Sequence, residues 1–125
     1  MSLHITIVED EPSHVILMEY HLRKMGIEAH LFQTGQAFIE QIHTIDTDLI
    51  ILSDELQDVS ASRLVNEVEL MYRVEKPTLM IMSTGRHPSL HSNTLKIIYC
   101  SKPFAIQDFR EKVYSYFYGA LSTSN

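Results

Sequence analysis

Three consecutive acids, Glu9, Asp10 and Glu11, follow the β-branched run His4 to Val8 (HITIV) and are closed off by Pro12. Adjacent carboxylates offer hard oxygen ligands to a divalent cation such as Mg²⁺, or else form a solvated acidic turn. A second polar cluster, Ser53, Asp54 and Glu55, ends the unbroken apolar run Leu49 to Leu52, and Ser83 and Thr84 end the run Leu79 to Met82. Lys102 stands two residues beyond a fourth run, Ile97 to Cys100. A lysine there, next to the carboxylates, would be held as an ion pair and could contact a bound oxyanion. The Ser83 hydroxyl could donate to the same anion, or cap the turn that follows it.

These clusters recur because of the elements that carry them. HITIV reads as a strand running into a charged loop. From Pro12 the apolar residues Val15, Leu17, Met18, Leu22 and Met25 repeat at helical steps up to Gly26, a C-terminal cap. Ile27 to Phe32 is a short strand, and Thr34 and Gly35 open a helix that turns Ala37, Phe38, Ile39 and Ile42 inward. Leu49 to Leu52, apolar without alternation, fits a central parallel strand covered on both faces. A third helix uses Leu64, Val65, Val68 and Leu70 or Met71. Arg86 to Lys96 contains Pro88, Ser89, Ser92 and Asn93, all poor in a helix interior, so one or two turns are expected there. The last helix uses Ile106, Phe109, Val113, Tyr116 and Phe117. Strands alternating with helices in this way require right-handed crossovers, a parallel sheet and helices on both faces. The functional crevice then lies beyond the carboxyl ends of the strands, where the clusters fall.

The chain has 125 residues, 45% hydrophobic and 21% charged, which is the size and balance of one globular domain. A net charge of −6 disfavours direct binding to nucleic acid or to an anionic membrane. Cys100 is the single cysteine, so neither a disulfide framework nor a cysteine-rich zinc site is available, and a cytoplasmic setting is expected. Neither a membrane-spanning run nor a signal-peptide pattern is expected. Glu9, Asp10 and Glu11 would repel the phosphate of a flavin, and no Gly-rich loop ending in lysine is present for a nucleotide. His87 and His91 bracket Pro88 without a third ligand nearby and read as surface histidines. The six methionines read as core filler.

In order along the chain, ITIVEDEP, DLIILSDEL, LMIMST and YCSKPF resemble the receiver domain of two-component response regulators, the CheY-like family. The resemblance implies a (βα)₅ α/β domain, doubly wound, with a five-stranded parallel sheet of flavodoxin-like order 2-1-3-4-5. It implies a signalling module, not an enzyme, that takes a phosphoryl group onto an aspartate from a histidine kinase with help from Mg²⁺. Carried over by position, Glu9 and Asp10 match the acidic pair, the Glu55 backbone carbonyl a further metal ligand, Ser83 the switch hydroxyl, Tyr99 the switch aromatic and Lys102 the family lysine. Independently of the resemblance, a cis peptide bond before Pro103 would aim Lys102 inward.

The departure lies at the acceptor. In the family an aspartate, four apolar residues and then the phosphorylated aspartate follow one another; here Asp48 and Leu49 to Leu52 lead to Ser53. Asp54 is the alternative acceptor, but neighbours on a strand point to opposite sides, so it reaches the same place only through a bulge. A neutral serine is a poor nucleophile without a base and removes one metal-binding carboxylate. The expectation is a pseudo-receiver that works through protein contacts, with a weakened Mg²⁺ site, no required cofactor and no catalytic residue. A receiver phosphorylated on Asp54 is the alternative. Nineteen positions separate Ser83 from Lys102, fewer than in the family, so a shortened fourth helix is expected. Expected partners are a sensor histidine kinase or another signalling protein, and a homodimer through Arg86 to Tyr99 and the last helix, with Tyr114, Tyr116 and Tyr118 as anchors. The receiver-like domain is expected over residues 1–118, with 119–125 a flexible tail or the start of a linker.

Overall fold

The computed structural model describes residues 3–72, 75–102 and 106–122. Its elements are β1 (Ile5–Val8), α1 (Pro12–Lys24), β2 (Ala29–Phe32), α2 (Gly35–Gln41) followed by a 3₁₀ turn (Ile42–Thr44), β3 (Leu49–Ser53), α3 (Ala61–Met71), β4 (Thr78–Ser83), β5 (Ile97–Ser101) and α4 (Ile106–Ser122). α4 thus continues past Gly119. The strands pair in parallel in the order β2-β1-β3-β4-β5, the doubly wound α/β architecture that the alternation of elements requires. Pro103 with its peptide bond, and the side chains of Ile106, Phe117 and Tyr118, lie outside the described residues.

Each face of the sheet has its own core. Val8, Ile50, Leu52, Leu79 and Ile81 pack with Phe38 of α2 and Leu64, Val65 and Val68 of α3. Ile5, Ile7, Leu49, Ile51, Met80 and Met82 pack on the other face with Met18 and Leu22 of α1 and Phe109 and Val113 of α4. β3 is buried along its whole length, which is why its sequence does not alternate. Burial of each such side chain contributes about 1.5–3 kcal/mol.

Some apolar residues expected in the core are outside it. Leu17 is exposed on α1, and Leu70 and Met71 are exposed at the end of α3. Ala61, Leu64, Val65 and Val68 already fill the inner face of α3; Leu70 is turned away from that stripe by the helical period, and Met71, three residues after Val68, is exposed as the last residue of the helix.

The fourth crossover corrects the expectation of a shortened helix, because residues 84–96 contain no helical turn. Gly85 takes φ +79°, Pro88 has no N–H and disfavours helix at the residue before it, and the Ser92 hydroxyl accepts from the N–H groups of Thr94 and Leu95. The Tyr99 hydroxyl accepts from Leu90 N at 2.6 Å and donates to Leu90 O at 3.2 Å, taking both groups that a helix would use. What remains is a strap that inserts Leu90 and Leu95 into the core shared with α2 and α3.

The turn into α2 approaches the loop before α3 closely. Gly35 N and Gln36 N donate to the two carboxylate oxygens of Asp58 at 3.0 and 2.9 Å. Burial would raise the Asp58 pKa, but these backbone hydrogen bonds outweigh it and hold the group below its ordinary value. A Cβ on Gly35 would stand 2.8 Å from Val59 Cβ, closer than two carbons can pack without backbone movement. Gly35→Ala is therefore expected to cost about 1–3 kcal/mol, read as a lower urea midpoint with an unchanged m-value.

Candidate functional site

At the carboxyl ends of the strands a cleft of about 500 Å³ is lined by Glu9, Asp10, Ser53, Glu55, Thr84 and Lys102, with His14 and Arg86 beside them. β1 delivers Glu9, β3 delivers Ser53, and β5 leads into Lys102, whose N–H donates to Ser83 O at 2.7 Å and so extends the β4–β5 ladder. The parallel register thus brings residues 93 positions apart into contact.

Lys102 Nζ donates to Glu9 Oε1 at 2.6 Å and to Ser53 Oγ at 3.0 Å. The Lys102 and Glu9 side chains are only 6% and 2% exposed, so this is a buried ion pair. The rest of the Glu9 carboxylate is satisfied too. His14 Nδ1 approaches Oε1 at 3.3 Å, and Asp10 N and Glu11 N donate to Oε2. Ser53 Oγ accepts a second bond from Glu55 N at 3.2 Å. Asp10 Oδ2 accepts from Gln57 N at 2.9 Å, tying the two loops together.

Asp54, next in the chain, is outside this network. Its two carboxylate oxygens accept from Thr84 N at 3.3 and 3.2 Å. The side faced by Asp54 opens on a larger cavity of about 820 Å³ between the start of α3 and the strap. Ser53 is the last residue of β3 and Asp54 begins the turn that follows it.

Other candidate residues separate in the same way. Ser83 Oγ accepts from Gly85 N at 3.1 Å and caps the turn, while its neighbour Thr84 lines the cleft and donates to Glu55 Oε1 at 3.2 Å. The same Glu55 oxygen receives Arg86 at 3.3 Å and approaches His87 Nε2 at 3.6 Å. Nothing in the sequence marked Thr84, Arg86 or His14 for the cleft, Arg86 being expected only on the partner face; the Ser83-Thr84 pair at a strand end was the available signal for the first. Tyr99 is clamped to Leu90 of the strap. Tyr116 donates to Asp48 O at 2.8 Å, joining α4 to the start of β3, and Tyr114 is exposed. Burial first, and then Asp108, push the Cys100 thiol up to about 11.

A parallel 2-1-3-4-5 sheet with carboxylates after β1 and a lysine after β5, meeting in one cleft, defines the class as a doubly wound α/β domain with a polar cleft at the strand ends. A solved response regulator receiver domain protein from Bacillus halodurans C-125 is 36% identical, with a TM-score of 0.79 over 90% of this chain and 95% of that one. The chain belongs to the response regulator receiver family. The N-terminal domain of a response regulator/sensory box/GGDEF protein from Carboxydothermus hydrogenoformans has the same fold at 17% identity, with a TM-score of 0.78 over 98% of this chain and 99% of that one. So does the receiver domain of a sensor histidine kinase from Pseudomonas aeruginosa PAO1, described with a magnesium ion coordinated in its active-site cleft, at 17% identity and a TM-score of 0.74 over 89% of this chain and 93% of that one. No family model matches the sequence. Among the described residues no helix is long and apolar enough to cross a membrane.

The donor set here does not fit a firmly held Mg²⁺. Both Glu9 oxygens and one Asp10 oxygen already accept hydrogen bonds, and Ser53 offers a neutral oxygen that itself accepts two. No group of three histidine, cysteine or acidic side chains suited to a metal occurs among the described residues.

Removing one member of a buried pair strands the other, at a cost of about 3–5 kcal/mol. Lys102→Met is expected to destabilise the domain by that amount, and Glu9→Gln in the same chain to recover a large part of it, measured by urea unfolding.

Proposed function

We propose that this receiver domain acts as a protein-interaction module without a covalent phosphoryl step, Ser53 standing where the family has its acceptor aspartate. The observation that carries the reading is the state of the Ser53 oxygen. A hydroxyl has two acceptor lone pairs and one proton; here Lys102 Nζ and Glu55 N donate to the oxygen, and among the described residues no base accepts its proton. An oxygen so placed lacks the activation that nucleophilic serines require. The nearest carboxylate in this network, Glu9, is committed to Lys102 and His14.

Receiver domains are signalling modules that act through other proteins, and the partner on this reading is a sensor histidine kinase or another protein of a two-component pathway. The surface that communicates with it is the strap of residues 84–96. Arg86, His87 and Thr84 hold the strap to Glu55 at one end, and Tyr99 holds its middle through Leu90. In the family, switching moves a hydroxyl and an aromatic residue in response to a phosphoryl group. A change of state needs a ligand that favours one state over the other. With no phosphoryl group that differential is missing, and a single conformation dominates.

The alternative of Asp54 as acceptor would need its carboxylate to leave Thr84 N and cross to the Lys102 side of β3. Incubation with acetyl phosphate and Mg²⁺ should leave the intact mass unchanged; a stable gain of one phosphoryl group that disappears in Asp54→Asn would establish the alternative.

The magnesium site described for the Pseudomonas domain suggests what the serine removes. Ser53→Asp returns a carboxylate to a cleft that retains Glu9 and Asp10, and at about 4 Å and an effective dielectric near 20 each unit charge is worth about 4 kcal/mol. Calorimetry should find measurable Mg²⁺ binding for Ser53→Asp and much weaker binding for the native chain. Equal and negligible heats for both would mean that the pocket has lost the ion's geometry along with its ligand.

A further inference from the structure

The negative charge of the chain is unevenly spread. Residues 76–107 carry four of the ten lysines and arginines, Lys76, Arg86, Lys96 and Lys102, and none of the sixteen acids. The net charge of −6 therefore divides into +4 over that stretch and −10 elsewhere. Lys102 is spent inside the cleft. Arg86, His87, His91 and Lys96 all belong to the strap, and all four are exposed.

These groups have donors to spare. The Arg86 side chain is 76% exposed, and its ion pair runs from one guanidinium nitrogen to Glu55 at 3.3 Å. A guanidinium carries five N–H donors in a planar fork, so Arg86 can take a second carboxylate. An exposed pair of this kind contributes little to stability, and Glu55 is readily exchanged for a carboxylate of another molecule. Among the described residues no carboxylate lies within ion-pair distance of His91 or Lys96.

The placement of the strap makes a strip of these residues. β4 and β5 run parallel, so the strap returns from the cleft end of the sheet to the opposite end. At about 3.3 Å per residue the five residues of β5 measure about 16 Å. Arg86 lies at the cleft, Lys96 directly before β5, and His91 between them. One flank of the strip is acidic. Asp54, Glu55 and Asp58 stand across the larger cavity, and Glu69 accepts from Thr94 at 3.4 Å. A narrow cationic strip beside an acidic wall suits a short, slender polyanion and repels a broad one, such as a nucleic-acid duplex or an anionic membrane.

We propose that the strap is the docking surface for an acidic, extended segment of a partner protein, whose carboxylates are taken by Arg86, His91 and Lys96. The proposal rests on the reading that the strap communicates with the partner, and adds the partner's chemistry. An extended segment of about five residues spans the strip, and alternate side chains fall on one face of it. Arg86 takes a carboxylate as a two-pronged pair, Lys96 as a point charge and His91 through an imidazole N–H.

Fluorescence anisotropy of the full 125-residue chain with a labelled, glutamate-rich peptide of about ten residues tests this, against a control peptide with glutamine in place of glutamate. Saturable binding of the glutamate peptide is expected, weakening as salt is raised, with none for the control. His91→Glu together with Lys96→Glu should weaken it about tenfold or more, with far-UV circular dichroism unchanged because both side chains are exposed. Arg23→Glu together with Lys24→Glu, also exposed but on α1, should change it less than about twofold at physiological salt, where charges are screened within about 8 Å. A native chain without saturable binding overturns the proposal. So does an equal loss in the α1 variant, which would make the attraction a matter of overall charge, and so does tighter binding of a DNA duplex that is lost on the same strap substitutions. The titration contains no phosphoryl donor. Binding that appears only with acetyl phosphate and Mg²⁺ would support the strap surface and overturn the phosphoryl-independent reading instead, so the two fail separately.

Discussion

The ion pair between Lys102 and Glu9 is the constraint around which the rest of the cleft is arranged. It joins the ends of β1 and β5 across the tip of β3, and it is buried on both sides. Two charges removed from water in this way must satisfy every remaining donor and acceptor, and the local sequence does so. The amides of Asp10 and Glu11 turn back onto Glu9, His14 reaches it from α1, and the second partner of Lys102 is Ser53. The serine is thus a structural member of the network. One cation faces one buried anion, and the small neutral hydroxyl completes the shell without adding charge.

The same economy extends to the crossover between β4 and β5. A helix there would cover Leu79, Ile81 and Ile97 with its own apolar face; the strap covers them with Leu90 and Leu95 and spends its polar groups on Tyr99, Glu55 and its own serine turns. The Tyr99 side chain fastens the strap through both backbone groups of Leu90. On the proposed reading these two departures belong together: a cleft without an acceptor carboxylate has no signal to send through a mobile crossover, and the crossover is fixed by a tyrosine bound at two points.

Much of the architecture was legible because hydrophobic period and strand-end chemistry agree. The unbroken run from Leu49 to Leu52 identified the central strand, and counting from Asp48 placed Ser53 at its tip, where the structure has it. Lys102 could be placed beside the acids because all strand ends of a parallel sheet share one edge. Less legible were choices between adjacent residues. Whether Ser83 or Thr84 turns toward the cleft depends on where β4 stops, which the apolar run leaves open by one position. Leu17 reads as core because period alone does not say which of two apolar faces is inside. α1 carries both, and only the sheet decides. The strap was only partly readable: Pro88, Ser89, Ser92 and Asn93 marked it as poorly helical, but the Tyr99 bond to Leu90 joins residues nine apart and leaves no periodic trace.

The most direct test of the central claim, that the cleft is closed to a phosphoryl group by the Lys102–Glu9–Ser53 arrangement, is an amide NMR titration of the native chain with fluoroberyllate and Mg²⁺. The account predicts that the resonances of Glu9, Ser53, Asp54, Thr84 and Lys102 stay where they are through the titration. Saturable shifts centred on Asp54 and Thr84 and spreading along the strap to Tyr99 would contradict it.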